Sequence, residues 1–331
     1  MNCRICLEPV TGESAYHPKC LTTMFGPRCQ SAHLAKTRRD LVSQMPRHVA
    51  GFSISGLQPK AQLCISENKL ALCHEGGSHI LKPSPEQYPG VAENEHATLC
   101  LMAAIGMDVP LCGLLELDDR EQVFVIQRFD RDLQGHPLPL QIEDAMQALG
   151  FLNLHSATKY NAASYLDVLN LAQRLGGRVL VRDLFERLVF SYLIGNDDHH
   201  LKNISFVYDK ERRTTRLSPA YDVLSSAIHT EGAGSIMALA LLSNERFPEN
   251  EPPYFRDMAN GHYSGGDFLV LGETAGLPRK VALKIIEDLP TKVQKKAPRL
   301  IAKSFMARHD QNAYLEMIER RARFLSVIDH E

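Results

Sequence analysis

The chain has 331 residues, of which 44% are hydrophobic and 23% are charged, a balance typical of a globular protein with one large core or two lobes. This composition excludes global disorder and a fibrous structure. Lysine and arginine number 37 against 39 aspartate and glutamate, so the formal charge of −2 provides no overall field that would draw the chain onto nucleic acid.

Two sequence features that are missing bear on location. The first ten residues, MNCRICLEPV, lack the basic region and the long apolar stretch of a secretory signal. No run of about 18 apolar residues occurs that could span a bilayer. We therefore expect a cytoplasmic protein that binds neither membranes nor nucleic acid directly, and whose eight cysteines are reduced.

Residues 1–48 have little periodic apolar pattern and are rich in Cys, Arg and Pro, which predicts a small appended module without a large core. The segments CRIC and HPKC supply two ligand pairs, each separated by two residues, which suits tetrahedral zinc. The candidate zinc ligands are Cys3, Cys6, His17 and Cys20. A spacer of ten residues is slightly short for the usual finger, and Cys29 could instead be a spare ligand. The alternative is that these reduced cysteines are small buried hydrophobic residues.

Residues 49–131 have the pattern of a β-rich lobe. Short apolar runs broken by Gly, Asn and Ser predict a strand meander over residues 52–85. Apolar residues at helical spacing within residues 90–110 then predict a helix that ends at Gly106. Two apolar runs around the charged turn LDDREQ predict a β-hairpin that closes the lobe.

Residues 132–331 have mostly helical periodicity, in the segments IEDAMQALGFL, AASYLDVLNLAQRLGG, VRDLFERLVFSYLIGN, KVALKIIEDLP and AYLEMIERRARFLSVI. We predict an α+β protein with a β-rich N-terminal lobe, an all-helical C-terminal lobe and the small Cys-rich module.

The stretch GNDDHHLKN carries the densest group of polar side chains. Asp198 and Asn203 have the D-x-x-x-x-N spacing of a protein-kinase catalytic loop, whereas Asp197 does not fit it. In such a loop the carboxylate accepts a proton from the substrate hydroxyl and the amide oxygen binds magnesium. Downstream, Asp222 follows a short apolar stretch, where a second magnesium ligand is required.

A phosphate-binding lysine is the remaining part of such a site. Lys82 lies inside an apolar run of the β-rich lobe, and Glu93 and Glu95 lie at the start of the predicted helix. Either glutamate could pair with Lys82, and the sequence does not choose between them.

Other interpretations stay open. A single Asp or Asn in a loop is usually a turn former or a cap, and only the ordered set indicates a kinase. The residues Asp197, Asp198, His199 and His200 could form a metal-dependent hydrolase site, although a further ligand cluster is not obvious. A small-molecule kinase would use the same phosphate-binding groups, and a catalytically dead binding module is the non-enzyme alternative.

Several motifs together resemble the HipA-like serine/threonine kinases, which are toxins of bacterial toxin–antitoxin modules. They are SISGLQPK, HILKPSP, AENEHATL, VIQRFDRD, IEDAMQALG, GNDDHHLKN and PAYDVLSS. The resemblance runs from about residue 50 to the C-terminus. In organisation the chain is similar to HipT of the three-component HipBST systems, since we expect it to lack the usual N-terminal subdomain before the glycine-containing loop.

The resemblance implies roles for individual residues. Asp198 would be the base, Asn203 and Asp222 would bind magnesium, and Lys82 would contact the nucleotide phosphates. The hinge that holds adenine through its main chain would be Gln127, Arg128 and Phe129, with glutamine where many relatives have glutamate. The nucleotide-binding set is completed by Ser53, Ser55, Gly56, Lys60, His200 and Lys202.

Residues 53–60 hold one glycine, Gly56, so this loop is not the GxGxxG loop of eukaryotic kinases. Its phosphate contacts would come from backbone N–H groups near Gly56 and from Lys60. The resemblance implies that Ser53 and Ser55 are autophosphorylated. Phosphate there would add about −1.5 to −2 charge beside the ATP phosphates, so we expect inhibition.

The resemblance also implies partners and a substrate. The cofactors would be ATP and Mg²⁺, and the protein would be the kinase toxin of a type II toxin–antitoxin system. A HipB-like DNA-binding antitoxin and a HipS-like small protein would be its partners. Its substrate would be an aminoacyl-tRNA synthetase, whose phosphorylation blocks translation.

Overall fold

The computed structural model describes residues 1–27, 29, 32–45, 58–151, 157–230, 236–242 and 261–328. The chain divides into two compact units. The first comprises Met1–Leu140, Pro219–Leu224 and Pro298–Gln311, and the second comprises Gln141–Ser218, Ser225–Ala297 and Asn312–Glu331. The boundaries predicted after residues 48 and 131 stay predictions. None of the helices within the described ranges has the length and apolar character that crossing a membrane requires.

A five-stranded antiparallel sheet forms the centre of the first unit. Its strands are β1 (Ala61–Ser66), β2 (Lys69–Cys73), β3 (His79–Pro83), β4 (Cys112–Glu116) and β5 (Gln122–Gln127), in the order β2-β1-β3-β5-β4. The predicted strands within residues 58–85 and the predicted hairpin, β4–β5, are therefore confirmed. The predicted meander order is wrong, because β3 pairs with β1 and leaves β2 at the edge of the sheet. The tight turn between β1 and β2 consists of Glu67 and Asn68, both at positive φ, as a two-residue hairpin of type I′ requires.

Among the described residues, three helices lie entirely within the first unit: α1 (Pro18–Phe25), α2 (Arg38–Ser43) and α3 (Val91–Ala104). Helix α3 packs against β4 and β5, and most of its side chains are buried. Gly106 follows the helix end at φ +92°, a left-handed conformation that glycine adopts without a steric penalty. The predicted end of this helix at Gly106 is thus confirmed.

The described residues of the N-terminal segment pack into the core of the first unit. Its buried side chains share one hydrophobic cluster with the sheet, in which Cys3, Met24, Phe25 and Leu41 join Leu63, Leu81, Leu115 and Val125. The backbone N–H of Leu114 in β4 donates to the carbonyl oxygen of Arg4 at 2.8 Å. The segment is therefore an integral part of the first unit.

The remaining α-helices in the described part of the chain are α4 (Ala145–Ala148), α5 (Thr158–Asn161), α6 (Tyr165–Leu193), α7 (Gly265–Thr274), α8 (Arg279–Lys303) and α9 (Arg308–Leu325). Helix α6 begins with a capping box between Ser164 and Asp167, which satisfies N–H groups of its first turn. It is kinked at Gly177, which has non-helical backbone angles, at the Gly-Gly pair where the sequence ends one helical segment.

The prediction of an all-helical C-terminal lobe is wrong. Strands β6 (Leu140–Asp144), β7 (Ser205–Asp209) and β8 (Thr214–Leu217) form a second sheet in the order β6-β7-β8. Phe206 pairs with Leu217 in the β7–β8 hairpin, and both side chains are buried. The strands have only four or five residues each, so their two-residue periodicity is too short to stand out beside the long helices.

Candidate active site

The buried centre of the first unit joins three of the predicted site residues. Lys82 lies on β3 and Glu95 on α3, and Asp222 lies in the segment Pro219–Leu224 of the first unit. All three side chains are buried. Lys82 Nζ lies 2.6 Å from Glu95 Oε1 and also donates to Asp222 Oδ1. An ammonium group has three donors, so these two carboxylates leave one for a further anion.

The structure distinguishes the two candidate glutamates. Glu95 is the ion-pair partner of Lys82. Glu93 lies two residues earlier on the helix, and positions i and i+2 of a helix do not share a face. Burial raises the pKa of Glu93 to about 7, and Glu121 and Asp310 add to the rise. Glu95, not Glu93, therefore belongs to the candidate site.

The charges within this group stabilise one another. Burial alone would lower the pKa of Lys82, but the carboxylates of Asp222 and Glu95 outweigh it and raise that pKa. Burial would raise the pKa of Asp222, but Lys60 and Lys82 outweigh it and hold that pKa well below its usual range. Burial raises the pKa of Glu95 despite Lys82. Lys82 and Asp222 thus stay charged over the physiological range.

Asp222 has φ +52°, a left-handed conformation that is uncommon for any residue other than glycine. Its carboxylate is fixed by two cations, since Lys60 Nζ also lies 3.2 Å from Asp222 Oδ2. Strained backbone held by strong contacts is typical of functional positions. Lys60 is thus brought to the candidate site, whereas Ser53, Ser55 and Gly56 lie outside the described residues.

The predicted hinge uses two of its amides within the fold. The N–H of Gln127 donates to the carbonyl of Leu111 at 2.8 Å, and the N–H of Arg128 donates to the carbonyl of Ser78 at 2.9 Å. The Arg128 guanidinium makes a bidentate ion pair with Asp130. Of the three predicted hinge residues, this leaves Phe129 to offer its amide to a ligand.

Phe129 also reveals a site residue that sequence reasoning missed. Its ring stacks on Tyr221, with 5.9 Å between the centroids and 28° between the planes. Tyr221 immediately precedes Asp222, so one short segment supplies both an apolar wall and a carboxylate. An isolated tyrosine has no spacing signal, and only its position next to Asp222 could have indicated it.

In the second unit, the loop after α6 carries Asp198 and Asn203. The chain leaves the helix at Gly195, which has φ +71° and no room for a side chain, because a Cβ atom there would lie 2.9 Å from Met317. Asn203 Nδ2 donates to the carbonyl of Asp198 at 3.0 Å. The amide oxygen of Asn203 is the atom left to act as a ligand.

The carboxylate of Asp198 is buried and oriented by neighbours. Tyr160, a second residue that sequence reasoning missed, donates its hydroxyl to Asp198 Oδ1 at 2.5 Å. His200 Nε2 lies 3.9 Å from the same oxygen. Lys202 Nζ lies 3.3 Å from Asp144 Oδ2, at the cap of α4. The loop therefore presents one fixed carboxylate.

The alternative hydrolase site is not supported. Within the described ranges, Asp197, Asp198, His199 and His200 do not form a cluster of three or more ligand atoms close enough to share a metal ion. The ring of His199 stacks on Tyr165, and burial, with a smaller effect of Arg187, lowers the pKa of His199 to about 3. The amide of Asp197 is held by Ser226 Oγ at 2.9 Å.

The predicted zinc ligands do converge. The ligand atoms of Cys3, Cys6, His17 and Cys20 all lie within 4.8 Å of one another. Cys29 is buried in the hydrophobic cluster and is not part of this group. The fold therefore brings together the four residues that the sequence predicted as zinc ligands.

The donor atoms suit the cofactors of a kinase. The ionised carboxylate of Asp222 and the amide oxygen of Asn203 are oxygen donors of the kind that Mg²⁺ prefers. A cationic Lys82 with a remaining donor suits a phosphate group. Each unit thus holds groups that fit one part of a nucleotide–magnesium complex.

Comparisons with known proteins agree with this chemistry. Residues 52–297 match the family described as the HipA-like C-terminal domain. A Haemophilus influenzae protein named "Putative kinase" is 33% identical over 99% of this chain and 98% of its own length. The Shewanella oneidensis serine/threonine-protein kinase toxin HipA is 25% identical, over 84% of this chain and 65% of its own length.

Solved structures show the same fold. HipA from a Shewanella oneidensis complex with HipB and operator DNA superposes with a TM-score of 0.65 at 21% identity, covering 89% of this chain and 74% of that one. The Helicobacter pylori proinflammatory kinase CtkA superposes with a TM-score of 0.52 at 15% identity, covering 84% of this chain and 91% of that one. With 246 consecutive residues, numbered 52–297, matching the family, this chain belongs to the HipA-like kinases.

Proposed function

We propose that this protein is an ATP- and Mg²⁺-dependent protein serine/threonine kinase and the toxin of a type II toxin–antitoxin system. The observation that carries the proposal is the buried Lys82 ammonium held by Glu95 and Asp222. Burying three charges is costly, and a nucleotide phosphate gives the remaining ammonium donor a partner. The family relationship agrees with this function.

In the proposed mechanism, Lys82 holds the nucleotide phosphates and Glu95 keeps its ammonium in place. Asn203 and Asp222 would hold Mg²⁺, which supplies charge neutralisation on the transferred phosphoryl group. Asp198 accepts the proton of the substrate hydroxyl as its oxygen attacks phosphorus and the bond to ADP breaks. Tyr160 orients the Asp198 carboxylate through its hydroxyl. Positioning provides most of the rate enhancement.

Nucleotide binding is proposed to use both polar and apolar groups. The amide of Phe129 would contact adenine, and the stacked rings of Phe129 and Tyr221 would bound the base. Backbone N–H groups near Gly56, together with Lys60, would contact phosphates. We assign supporting roles near the phosphates to His200 and Lys202 on the basis of the family resemblance.

We further propose that Ser53 and Ser55 are autophosphorylated, which would inhibit the kinase by repelling ATP phosphates. A HipB-like antitoxin is the proposed partner, because the similar Shewanella HipA was solved with HipB and operator DNA. A HipS-like small protein and an aminoacyl-tRNA synthetase substrate are proposed from the resemblance to HipBST systems.

Phosphoproteomics after brief expression tests the function, with Asp198→Asn as the inactive control. We expect new phosphoserine or phosphothreonine on few proteins, including an aminoacyl-tRNA synthetase, with the parent alone. Phosphate transfer to a metabolite without any new phosphoprotein would instead identify a small-molecule kinase. No transfer from ATP to any acceptor by the pure, folded parent would overturn the assignment.

A further inference from the structure

The N-terminal segment has the geometry of a metal site that the kinase reaction does not use. The Sγ atoms of Cys6 and Cys20 lie 3.3 and 3.8 Å from His17 Nδ1. Ligand atoms around tetrahedral zinc, at about 2.3 Å for sulfur and about 2.0 Å for nitrogen, are separated by about 3.5–3.8 Å. With Cys3, whose side chain is buried, the ligand set is three thiolates and one imidazole.

The imidazole of His17 is oriented for metal binding. Its Nε2 lies 3.0 Å from the carbonyl oxygen of Pro9. A carbonyl can only accept a hydrogen bond, so Nε2 carries the proton and the lone pair of Nδ1 faces the thiols. A backbone carbonyl that fixes the tautomer in this way is a usual neighbour of histidine ligands.

The turn between the first two cysteines packs against the sheet and a helix of the first unit. The carbonyl of Arg4 accepts from Leu114 of β4 at 2.8 Å. The carbonyl of Ile5 accepts from His96 Nε2 at 3.0 Å and from the thiol of Cys100 at 3.6 Å. The turn, residues 3–6, thus binds both the edge strand of the sheet and helix α3.

The close approach of this turn to β4 explains one glycine. A Cβ atom on Gly113 would lie 2.9 Å from Ile5 Cγ1 and 3.0 Å from the carbonyl oxygen of Arg4. A side chain at this position would push the turn away from the strand. The missing side chain at Gly113 therefore permits the close contact between the turn and β4.

A second group, His96, Cys100 and Cys112, also has ligand atoms within 4.8 Å of one another. Its histidine donates Nε2–H to the Ile5 carbonyl, so the nitrogen next to Cys100 has no lone pair for a metal. We therefore interpret this group as the anchor for the turn.

We propose that Cys3, Cys6, His17 and Cys20 bind one structural Zn²⁺, and that this metal fixes the turn that anchors helix α3. Glu95 immediately precedes His96 on that helix, so the metal supports the position of the Lys82 partner. Zinc binding itself is independent of the proposed kinase function, and only the consequence for Lys82 rests on it.

The test measures metal content in the full chain purified without chelator. The site variant is Cys6→Ser with Cys20→Ser, and the matched control is Cys64→Ser with Cys73→Ser, which removes two half-buried thiols from β1 and β2. We expect about one zinc per chain in the parent and control, and loss of that zinc in the site variant. Retention of one zinc by a Cys100→Ser, Cys112→Ser variant assigns the metal to the N-terminal set.

The second measurement is amide hydrogen exchange along α3 in the parent, before and after zinc removal by a strong chelator and after addition of ZnCl₂. We expect faster exchange without metal and recovery on re-addition. Because this measurement uses the parent protein, it tests the proposal even if the site variant fails to fold. A parent that neither contains nor takes up zinc overturns the metal site, and unchanged exchange in α3 overturns the anchoring role. Neither readout depends on phosphoryl transfer.

Discussion

Lys82 Nζ lies 2.6 Å from Glu95 Oε1, and both side chains are buried, at 4% and 1% exposure. A strand supplies the cation and a helix supplies the anion, so their distance reports how α3 sits on the sheet. Because Lys82 also contacts Asp222, the ammonium is fixed from two sides. This pair makes the position of α3 a determinant of nucleotide binding under the proposed function.

Glu95→Gln should lower phosphoryl transfer by about 10- to 100-fold. The amide keeps the shape but loses a charged hydrogen bond worth about 1.5–3 kcal/mol, which corresponds to that range in rate. Glu93→Gln is the matched control, two residues away on the same helix. Initial rates of ATP-dependent phosphorylation check this, and equal rates for both variants would remove Glu95 from the site.

Glu93 should make stability depend on pH. Its pKa of about 7, raised by burial, lies above the value of an unfolded glutamate, so the folded state binds more protons between about pH 4.5 and 7. Stability should therefore fall as pH rises through this window, by about 1–3 kcal/mol. Denaturant unfolding of the parent and Glu93→Gln at several pH values measures this, and parallel pH profiles would contradict it.

Asp198→Asn should reduce phosphoryl transfer by about 10²- to 10⁴-fold, since the proposed base is lost while the loop geometry is kept. Asp197→Asn removes the adjacent carboxylate and should retain activity. The backbone N–H of residue 197, which donates to Ser226 Oγ, is unchanged by the substitution. Autophosphorylation of both purified variants distinguishes them. A parent-like rate in Asp198→Asn would show that Asp198 is not the base and that the D-x-x-x-x-N spacing does not mark a catalytic loop here.

Tyr221→Leu should weaken ATP binding by about 2- to 10-fold, since an aromatic pair contributes about 0.5–1.5 kcal/mol beyond its buried area. Tyr208→Leu, at a tyrosine that is 39% exposed on β7, is the control. Titration with a fluorescent ATP analogue measures both. Unchanged affinity in Tyr221→Leu would place adenine elsewhere.

Local patterns predicted the parts of the site that depend on neighbours in the chain. The spacing of Asp198 and Asn203 fixes a single loop, in which the Asn203 amide reaches the Asp198 carbonyl. The two strands around Glu67 and Asn68 follow from turn chemistry in the same way. Such features need no knowledge of the rest of the fold.

Contacts between distant segments could not be predicted. Glu93 and Glu95 lie on different faces of α3, and only the packing of the helix on the sheet decides which of them meets Lys82 on β3. Tyr160 acts on Asp198 from 38 positions away, and Tyr221 meets Phe129 across a longer separation. The short strands β7 and β8 form because Phe206 and Leu217 pair and are buried, which periodicity over four or five residues does not reveal.

The last prediction concerns Ser53 and Ser55, which lie outside the described residues, three and one positions before Gly56. Phosphate on either would add about −1.5 to −2 charge and compete with ATP for the same backbone donors. Double replacement by Ala removes the modifiable oxygens and keeps Gly56 and Lys60, so this variant should be at least as toxic as the parent.

A growth assay paired with intact mass measures the outcome, with Ser66→Ala as the control at an exposed serine at the end of β1. The parent and the control should carry phosphate that the double variant lacks, because only they keep the serine hydroxyl groups that accept it. A folded but harmless double variant would mean that the hydroxyls take part in nucleotide binding or transfer. Inhibition by autophosphorylation would then not be their main role.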